Sequence, residues 1–178
     1  MYDNLVRLAM AVKNTFFIRA NVEVSNAFNQ SEIDLGAFVD ALGNTVLRIH
    51  RVDVSIRDAA LPESTIIVAA SGTGQITWQL STQSNTAMVT ADQRDIISLG
   101  CLNFSNVDPV VQRPTWMNSD ADLLPQEFES GYLIATEQIY LAGYASALST
   151  PASLTVVLEC SVETLTKGGA MALALSQQ

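Results

Sequence analysis

The chain has 178 residues, of which 48% are hydrophobic and 15% are charged, and its formal net charge is -9. This length fits one domain with a substantial core, and the composition excludes an intrinsically disordered protein. The excess of acidic residues opposes binding to phosphate backbones, so we expect no direct contact with nucleic acid.

The N-terminal part of the chain predicts a helix and then a strand. Residues 3–13 predict a short amphipathic helix, because apolar residues recur at helical spacing. These apolar residues are Leu5, Leu8, Ala9 and Val12. Residues 16–24 alternate apolar and polar side chains, which predicts a strand with one buried face. The apolar stripe of the helix has three candidate partners: the domain itself, a neighbouring subunit and a membrane surface.

The next part of the chain predicts two further strands and a hairpin. Residues 31–35 predict a short strand and residues 45–57 a long one. In the long strand the apolar residues change from odd to even positions near His50. Because one extra residue reverses every later side chain, this change predicts a bulge or a passage between sheets. Residues 64–70 and 75–81 predict a hairpin across a glycine-containing turn.

The second half of the chain predicts three more strands around a long connection. Residues 96–104 predict a strand, and residues 106–130 a proline-containing connection of the kind that forms interface or functional loops. Strand character resumes over residues 131–144 and again over residues 153–163. The tail from residue 167 fits either a terminal strand or a short helix.

The predicted elements indicate an all-β fold in a single domain. We expect an antiparallel two-sheet jelly-roll sandwich of about eight strands, preceded by the short N-terminal helix. The helix occupies residues 3–13, the sandwich residues 16–165 and the tail residues 166–178 of the single jelly-roll domain, residues 1–178. We expect no secretory signal, because a basic segment and an apolar core do not follow Met1. No apolar run approaches the roughly 20 residues of a membrane-spanning helix.

Candidate chemical groups are few. His50 is the only histidine and lies beside Arg48 and Arg51, whose positive charge disfavours a general base, so we expect a solvent-facing or capped strand histidine. Cys101 and Cys160 lie in apolar strand-like stretches and are expected to be buried free thiols, although their pairing depends on a distance that the sequence does not give. We therefore predict no catalytic, cofactor or metal site and no enzymatic activity.

Three other groups each have a functional and a structural interpretation. Asp120 and Asp122 could hold calcium between subunits, or they form an exposed acidic loop. Glu137 shares an apolar strand face, which suits an edge, a subunit contact or a perturbed buried carboxylate. Aromatic residues could form a sugar-stacking platform, but core or interface packing is the simpler explanation for them. They are Trp78, Trp116, Tyr132, Tyr140 and Tyr144. Residues 72–74 are interpreted as a turn, because no phosphate-binding lysine follows.

The front helix, the first strand TFFIRANVEV, the long strand TVLRIHRVDVSIRD and the closing LTVVLECSVETL resemble the small single jelly-roll capsid proteins of icosahedral viruses. This resemblance implies a structural protein that self-assembles into a virion shell and is made in the host cytoplasm. It implies homo-oligomers, with a second capsid protein and an internal membrane vesicle as further candidate partners. The sparse cations Arg7, Lys13 and Arg19 do not form a genome-binding arm. The alternative is a carbohydrate- or ligand-binding β-sandwich, against which the missing signal peptide counts.

Overall fold

The computed structural model describes residues 14–40, 44–119 and 127–177. These ranges contain nine strands and one helix. The elements are β1 (Phe16–Val24), β2 (Asn29–Asp34), β3 (Thr45–Asp58), β4 (Gly72–Ser81), β5 (Ile96–Asn106), β6 (Trp116–Ser119), β7 (Glu127–Ile134), β8 (Gln138–Ala145), β9 (Ala152–Thr164) and α1 (Lys167–Ser176). Within these ranges, no helix has the length and apolar character that crossing a membrane requires.

The strands form two antiparallel sheets, with the orders β1-β9-β3-β7 and β2-β8-β4-β5-β6. When β6 is set aside, the other eight strands pair in a nested series: β1 with β9, β2 with β8, β3 with β7 and β4 with β5. The first and second halves of the chain therefore pair along their length like the two arms of a long hairpin, and successive pairs alternate between the two sheets. The predicted all-β, antiparallel two-sheet sandwich is confirmed. The predicted helix at residues 3–13 lies outside the described residues.

The core lies between the two sheets and follows the period-two pattern of the sequence. In β1, Val22 and Val24 are buried while Glu23 between them is exposed, as predicted. In β3 the register shifts between Ile49 and Arg51, so the chain bulges at His50. Ile49 before the bulge and Val52 after it both reach the core. The predicted change of face is thus a bulge within one strand.

The predicted hairpin of residues 64–70 with residues 75–81 is wrong. Residues 64–70 form only one isolated bridge, between Val68 and Leu148, and β4 pairs instead with β5 and β8. Ile66 and Val68 are nevertheless buried in the main core cluster. The continuous apolar run of residues 64–70 therefore contributes to the core although it does not pair with a strand on both sides.

The long connection is shorter than predicted, because it contains β6 and the first half of β7. β6 pairs with β5 and forms the edge of its sheet. The predicted strand over residues 131–144 is two strands, β7 and β8, separated by a turn at residues 135–137. In β7, Gly131 has a φ of +73°, which side-chain-bearing residues rarely adopt.

The tail forms helix α1, which decides between the two alternatives that its sequence allowed. The hydroxyl of Thr166 caps the helix by accepting a hydrogen bond of 3.2 Å from the Gly169 N–H. Ala170 and Ala174 pack with Val46 and Ala135 in a second, smaller core cluster. The helix therefore covers the outer side of the β1-β9-β3-β7 sheet at one end of the sandwich.

Candidate functional site

One end of the sandwich, which we call the loop end, consists of residues 25–28, 59–71, 107–115 and 146–151. These four loops follow β1, β3, β5 and β8. The antiparallel register brings them together, because the last residues of β1 and β3 both lie opposite Ala152, the first residue of β9. The loop end is thus a single surface built from distant parts of the chain.

Two asparagines join the loops of the loop end. The side chain of Asn26 donates to the Leu148 carbonyl at 3.0 Å and accepts from the Leu148 N–H at 3.1 Å. The amide of Asn106, which is 2% exposed, donates to the carbonyls of Ala69 at 3.2 Å and Val111 at 2.8 Å. Because buried backbone groups need hydrogen-bond partners, these side chains replace the sheet hydrogen bonds that the loops lack.

A buried carboxylate also holds two of these loops together. Asp58 accepts from the N–H groups of Ala60 at 3.0 Å and Leu61 at 2.8 Å, and from the Thr150 hydroxyl at 2.9 Å. Burial alone would raise the pKa of Asp58, but these hydrogen bonds and the charge of Arg113 outweigh it and leave the pKa below its ordinary value. The ionised form of Asp58 is therefore part of the folded loop end.

A second carboxylate shapes the loop after β5. Asp108 accepts from the N–H groups of Val110 at 2.8 Å and Val111 at 3.0 Å. The hydrogen bonds from Val111 and Val110 lower the pKa of Asp108, against a smaller opposing effect of burial. A side-chain oxygen bonded to the backbone two and three residues ahead fixes a tight turn. This turn directs the two valines away from the core.

The loop end displays apolar side chains to solvent. Val107 is 76% exposed and Val110 is 83% exposed, and Leu61 and Val111 are also exposed. Several exposed apolar side chains within one loop suit an interaction site, because contact removes about 25 cal/mol of unfavourable hydration per Å². The sequence singled out residues 106–130 as an interface loop but not these valines. In the sequence, the exposure of these valines could have been inferred from their place beside the turn-forming residues Asp108 and Pro109, outside any alternating pattern.

The structure separates the residues that were candidates for chemistry. His50 lies at the bulge, half-buried, with Nε2 2.8 Å from Oγ of Ser161. Cys101 and Cys160 are both free thiols, as predicted. Burial raises the pKa of Cys160 to about 12, whereas Cys101 is only half-buried, so its predicted full burial is wrong. In the part of the chain that the structure describes, no cluster of three histidine, cysteine or acidic side chains could hold a metal ion.

Two further interpretations are corrected. Glu137 is exposed in the turn between β7 and β8 and does not lie on an apolar strand face. Residues 72–74, interpreted as a turn, begin strand β4. In both cases the boundary between strand and turn lies a few residues from its predicted place, since glycine and acidic residues occur in both settings. Asp120 and Asp122, the candidate calcium ligands, lie outside the described residues.

The aromatic residues do not form one platform. Trp78 is buried in the core, while Trp116 is exposed on the edge strand β6. Tyr132 packs against Phe128, with ring centroids 5.7 Å apart. Tyr140 and Tyr144 belong to β8, in the other sheet from Tyr132. Core packing thus explains Trp78, and Trp116 is available for a ligand or a partner.

Comparisons with known proteins give remote similarity to solved structures. No protein-family model matches the sequence, and no curated protein matches it. A solved structure similar to this chain is that of VP1 from human polyomavirus 12 in complex with 3'-sialyllactosamine. The two chains are 8% identical, the similarity covers 85% of this chain and 100% of that chain, and the TM-score is 0.39. At these values no property of VP1 is transferred to this chain.

Proposed function

We propose that this chain is a structural subunit that assembles with copies of itself, as the capsid protein of a virion. The loop end is the observation that carries this proposal. Its exposed valines, Val107 and Val110, are held by a network of side-chain hydrogen bonds. Because these loops are ordered before contact, little conformational entropy is lost when another copy covers them.

The strand pairing supports the capsid interpretation. Eight strands in nested pairs, split between two sheets, are the arrangement of a double-sheet jelly roll. This fold is used by capsid subunits, and also by lectins and cupins, so the fold by itself does not select a function. The apolar loop end favours the capsid subunit, because shells require strong contacts between copies.

The end of the sandwich opposite the loop end is rich in acidic residues, whereas the loop end combines its apolar side chains with Asp58, Glu63, Asp108 and Arg113. Among the described residues, the far end, opposite the loop end, carries five carboxylates at the last residue of β2 and in the loops around it. They are Asp34, Asp40, Asp92, Asp95 and Glu137, and in the described part of the chain Arg94 and Lys167 are the cations of the same end. Apolar loop ends gain free energy by meeting around a symmetry axis, while like-charged far ends repel each other. Neighbouring copies would therefore pack closely at their loop ends and lie further apart at their far ends.

The same proposal places this chain in the virion, without a catalytic role and without direct contact to nucleic acid. Electron microscopy of the purified protein, combined with light scattering, tests it. We expect rings, regular capsomers or shells whose abundance rises with protein concentration. A protein that stays monomeric across the accessible concentrations contradicts the proposal.

A further inference from the structure

A shallow depression lies on the outer face of the β2-β8-β4-β5-β6 sheet, where β4, β5 and β6 run side by side. The register places Thr73 opposite Ser105, and Ser105 opposite Trp116. In the next row, Gln75 lies opposite Asn103. Paired positions on neighbouring strands point to the same face of a sheet. These five side chains therefore surround one surface, and the depression has a volume of about 340 Å³.

Trp116 supplies an apolar wall to this depression. Its side chain is 55% exposed although it belongs to an ordered strand. Met117, the next residue, points to the opposite side of the same strand, where it borders a groove with Val54 and Leu102. The indole of Trp116 thus presents a flat apolar surface to solvent beside polar neighbours, which suits a ligand that has both an apolar face and a polar rim.

The rest of the depression is polar and uncharged. Its floor carries the amides of Gln75 and Asn103 and the hydroxyls of Thr73 and Ser105, and Ser146 lies at the wall opposite the tryptophan. Among the residues that the structure describes, no acceptor takes a hydrogen bond from the NH₂ groups of Gln75 and Asn103, whose oxygens lie near the Cys101 thiol. None of the described residues that line the depression is charged. Free donors without charge fit a neutral ligand rich in hydroxyl groups.

We propose that this depression binds a neutral oligosaccharide. A pyranose ring has an apolar C–H face, which can stack on the indole of Trp116, and equatorial hydroxyls, which can pair with the amides of Gln75 and Asn103. From Ser146 to Trp116 the depression spans three strand spacings, roughly 14 Å, which is longer than one sugar ring. The ligand is therefore a disaccharide or longer. An acidic saccharide would find no cation there and would be repelled by a protein of net charge -9.

This binding site goes beyond self-assembly and uses a different surface. The loop end meets copies through aliphatic side chains, whereas the depression offers one aromatic ring and hydrogen-bonding groups. Trp116 directly follows the loop end in sequence, so the competing occupant is a second copy of this chain. The experiment must therefore measure saccharide binding and assembly on the same samples.

The test is an array of neutral and sialylated oligosaccharides, followed by fluorescence titration with lactose, maltose, cellobiose and chitobiose. We expect binding to neutral saccharides and a change in tryptophan emission. Trp116→Ala and Asn103→Ala should each weaken binding roughly tenfold or more. Met117→Ala, on the same strand but the opposite face, should bind within about twofold of the original chain.

Three results would overturn the inference. They are an array without neutral hits, variants Trp116→Ala and Asn103→Ala that bind like the original chain, and a loss of assembly in Trp116→Ala with saccharide binding intact. The last result would assign the depression to a subunit contact. Sedimentation of the same samples reports assembly independently, so a failure of saccharide binding is distinguishable from a failure of the proposed capsid function.

Discussion

The side-chain amide of Gln177 pairs with the backbone of Ala135, whose N–H donates to Oε1 of Gln177 at 3.0 Å. Nε2 of the same amide donates to the Leu133 carbonyl at 2.7 Å. The backbone carbonyl of Gln177 accepts from the Thr82 hydroxyl at 2.9 Å. The residue that ends α1 therefore joins the helix to the turn after β7 and to the end of β4.

Replacing Gln177 should destabilise the fold. Gln177→Ala leaves the Ala135 N–H and the Leu133 carbonyl without partners in a buried place, which costs about 1–3 kcal/mol of unfolding free energy. Leu175→Ala is the matched control, because Leu175 is exposed on the same helix. Urea denaturation of both variants measures the difference. If Gln177→Ala unfolds at the same urea concentration as the control, the Gln177 contacts do not stabilise the fold.

Gly131 and Gly168 should respond oppositely to alanine. A Cβ at Gly131 would lie 2.5 Å from Cγ of Arg48, at a φ of +73°. Arg48 cannot easily move, because its guanidinium holds Glu163 through contacts of 2.5 Å and 2.6 Å. We expect Gly131→Ala to cost about 1–3 kcal/mol.

Gly168 is the matched control for Gly131. It lies in the first turn of α1, with no atom within 4 Å of an added Cβ. Gly168→Ala should therefore be neutral or stabilise the fold by up to about 1 kcal/mol. Thermal unfolding of the two variants tests both predictions. Equal melting temperatures would show that the close approach to Arg48 carries no strain.

Asp58 should make stability depend on acidity. Its pKa is lowered by folding, so its ionised form stabilises the folded chain above the unfolded pKa of about 3.9, and this stabilisation is lost as the pH falls through the folded pKa. We expect the unfolding free energy to decrease as the pH falls below about 5 and to go on decreasing until the pH has passed the lowered folded pKa. Asp58→Asn should flatten this dependence and lower stability at neutral pH. An unchanged slope in Asp58→Asn would contradict the role of this carboxylate.

The two cysteines should differ in reactivity. Cys160 is fully buried and its pKa is raised to about 12, so it holds almost no reactive thiolate at neutral pH. Cys101 is partly exposed on the outer face of its sheet. A disulfide-forming reagent should titrate one thiol in the folded protein and two after denaturation. Cys101→Ser should abolish the native reaction, and rapid modification of Cys160 in that variant would contradict the buried position.

Alternation within a strand predicted much of the sandwich. The period of two predicted β1 and β9, and the change of parity near His50 predicted a bulge or a passage between sheets, of which the structure shows the bulge. These features are local, because a strand with one wet face records its orientation in its own residues. The fold class could therefore be predicted from the sequence.

The arrangement of the loop end could not be predicted from the sequence in the same way. Ile66 and Val68 are as apolar as strand residues, but their burial depends on loops that are distant in sequence. The exposure of Val107 and Val110 depends on the hydrogen bonds of Asp108 and Asn106, which no periodicity encodes. Cys101 likewise lies in an apolar run, yet the register of β5 turns it outward. Tertiary pairing decides these positions.

Sedimentation velocity tests the loop end as the assembly surface most directly. The original chain should sediment as closed oligomers or shells, and the double variant Val107→Asp, Val110→Asp should sediment as a folded monomer of about 19.2 kDa, because charge on the contact prevents its desolvation. Ala87→Asp adds a charge to the exposed β4–β5 loop and should assemble normally. Assembly of the double variant equal to that of the original chain would contradict the account.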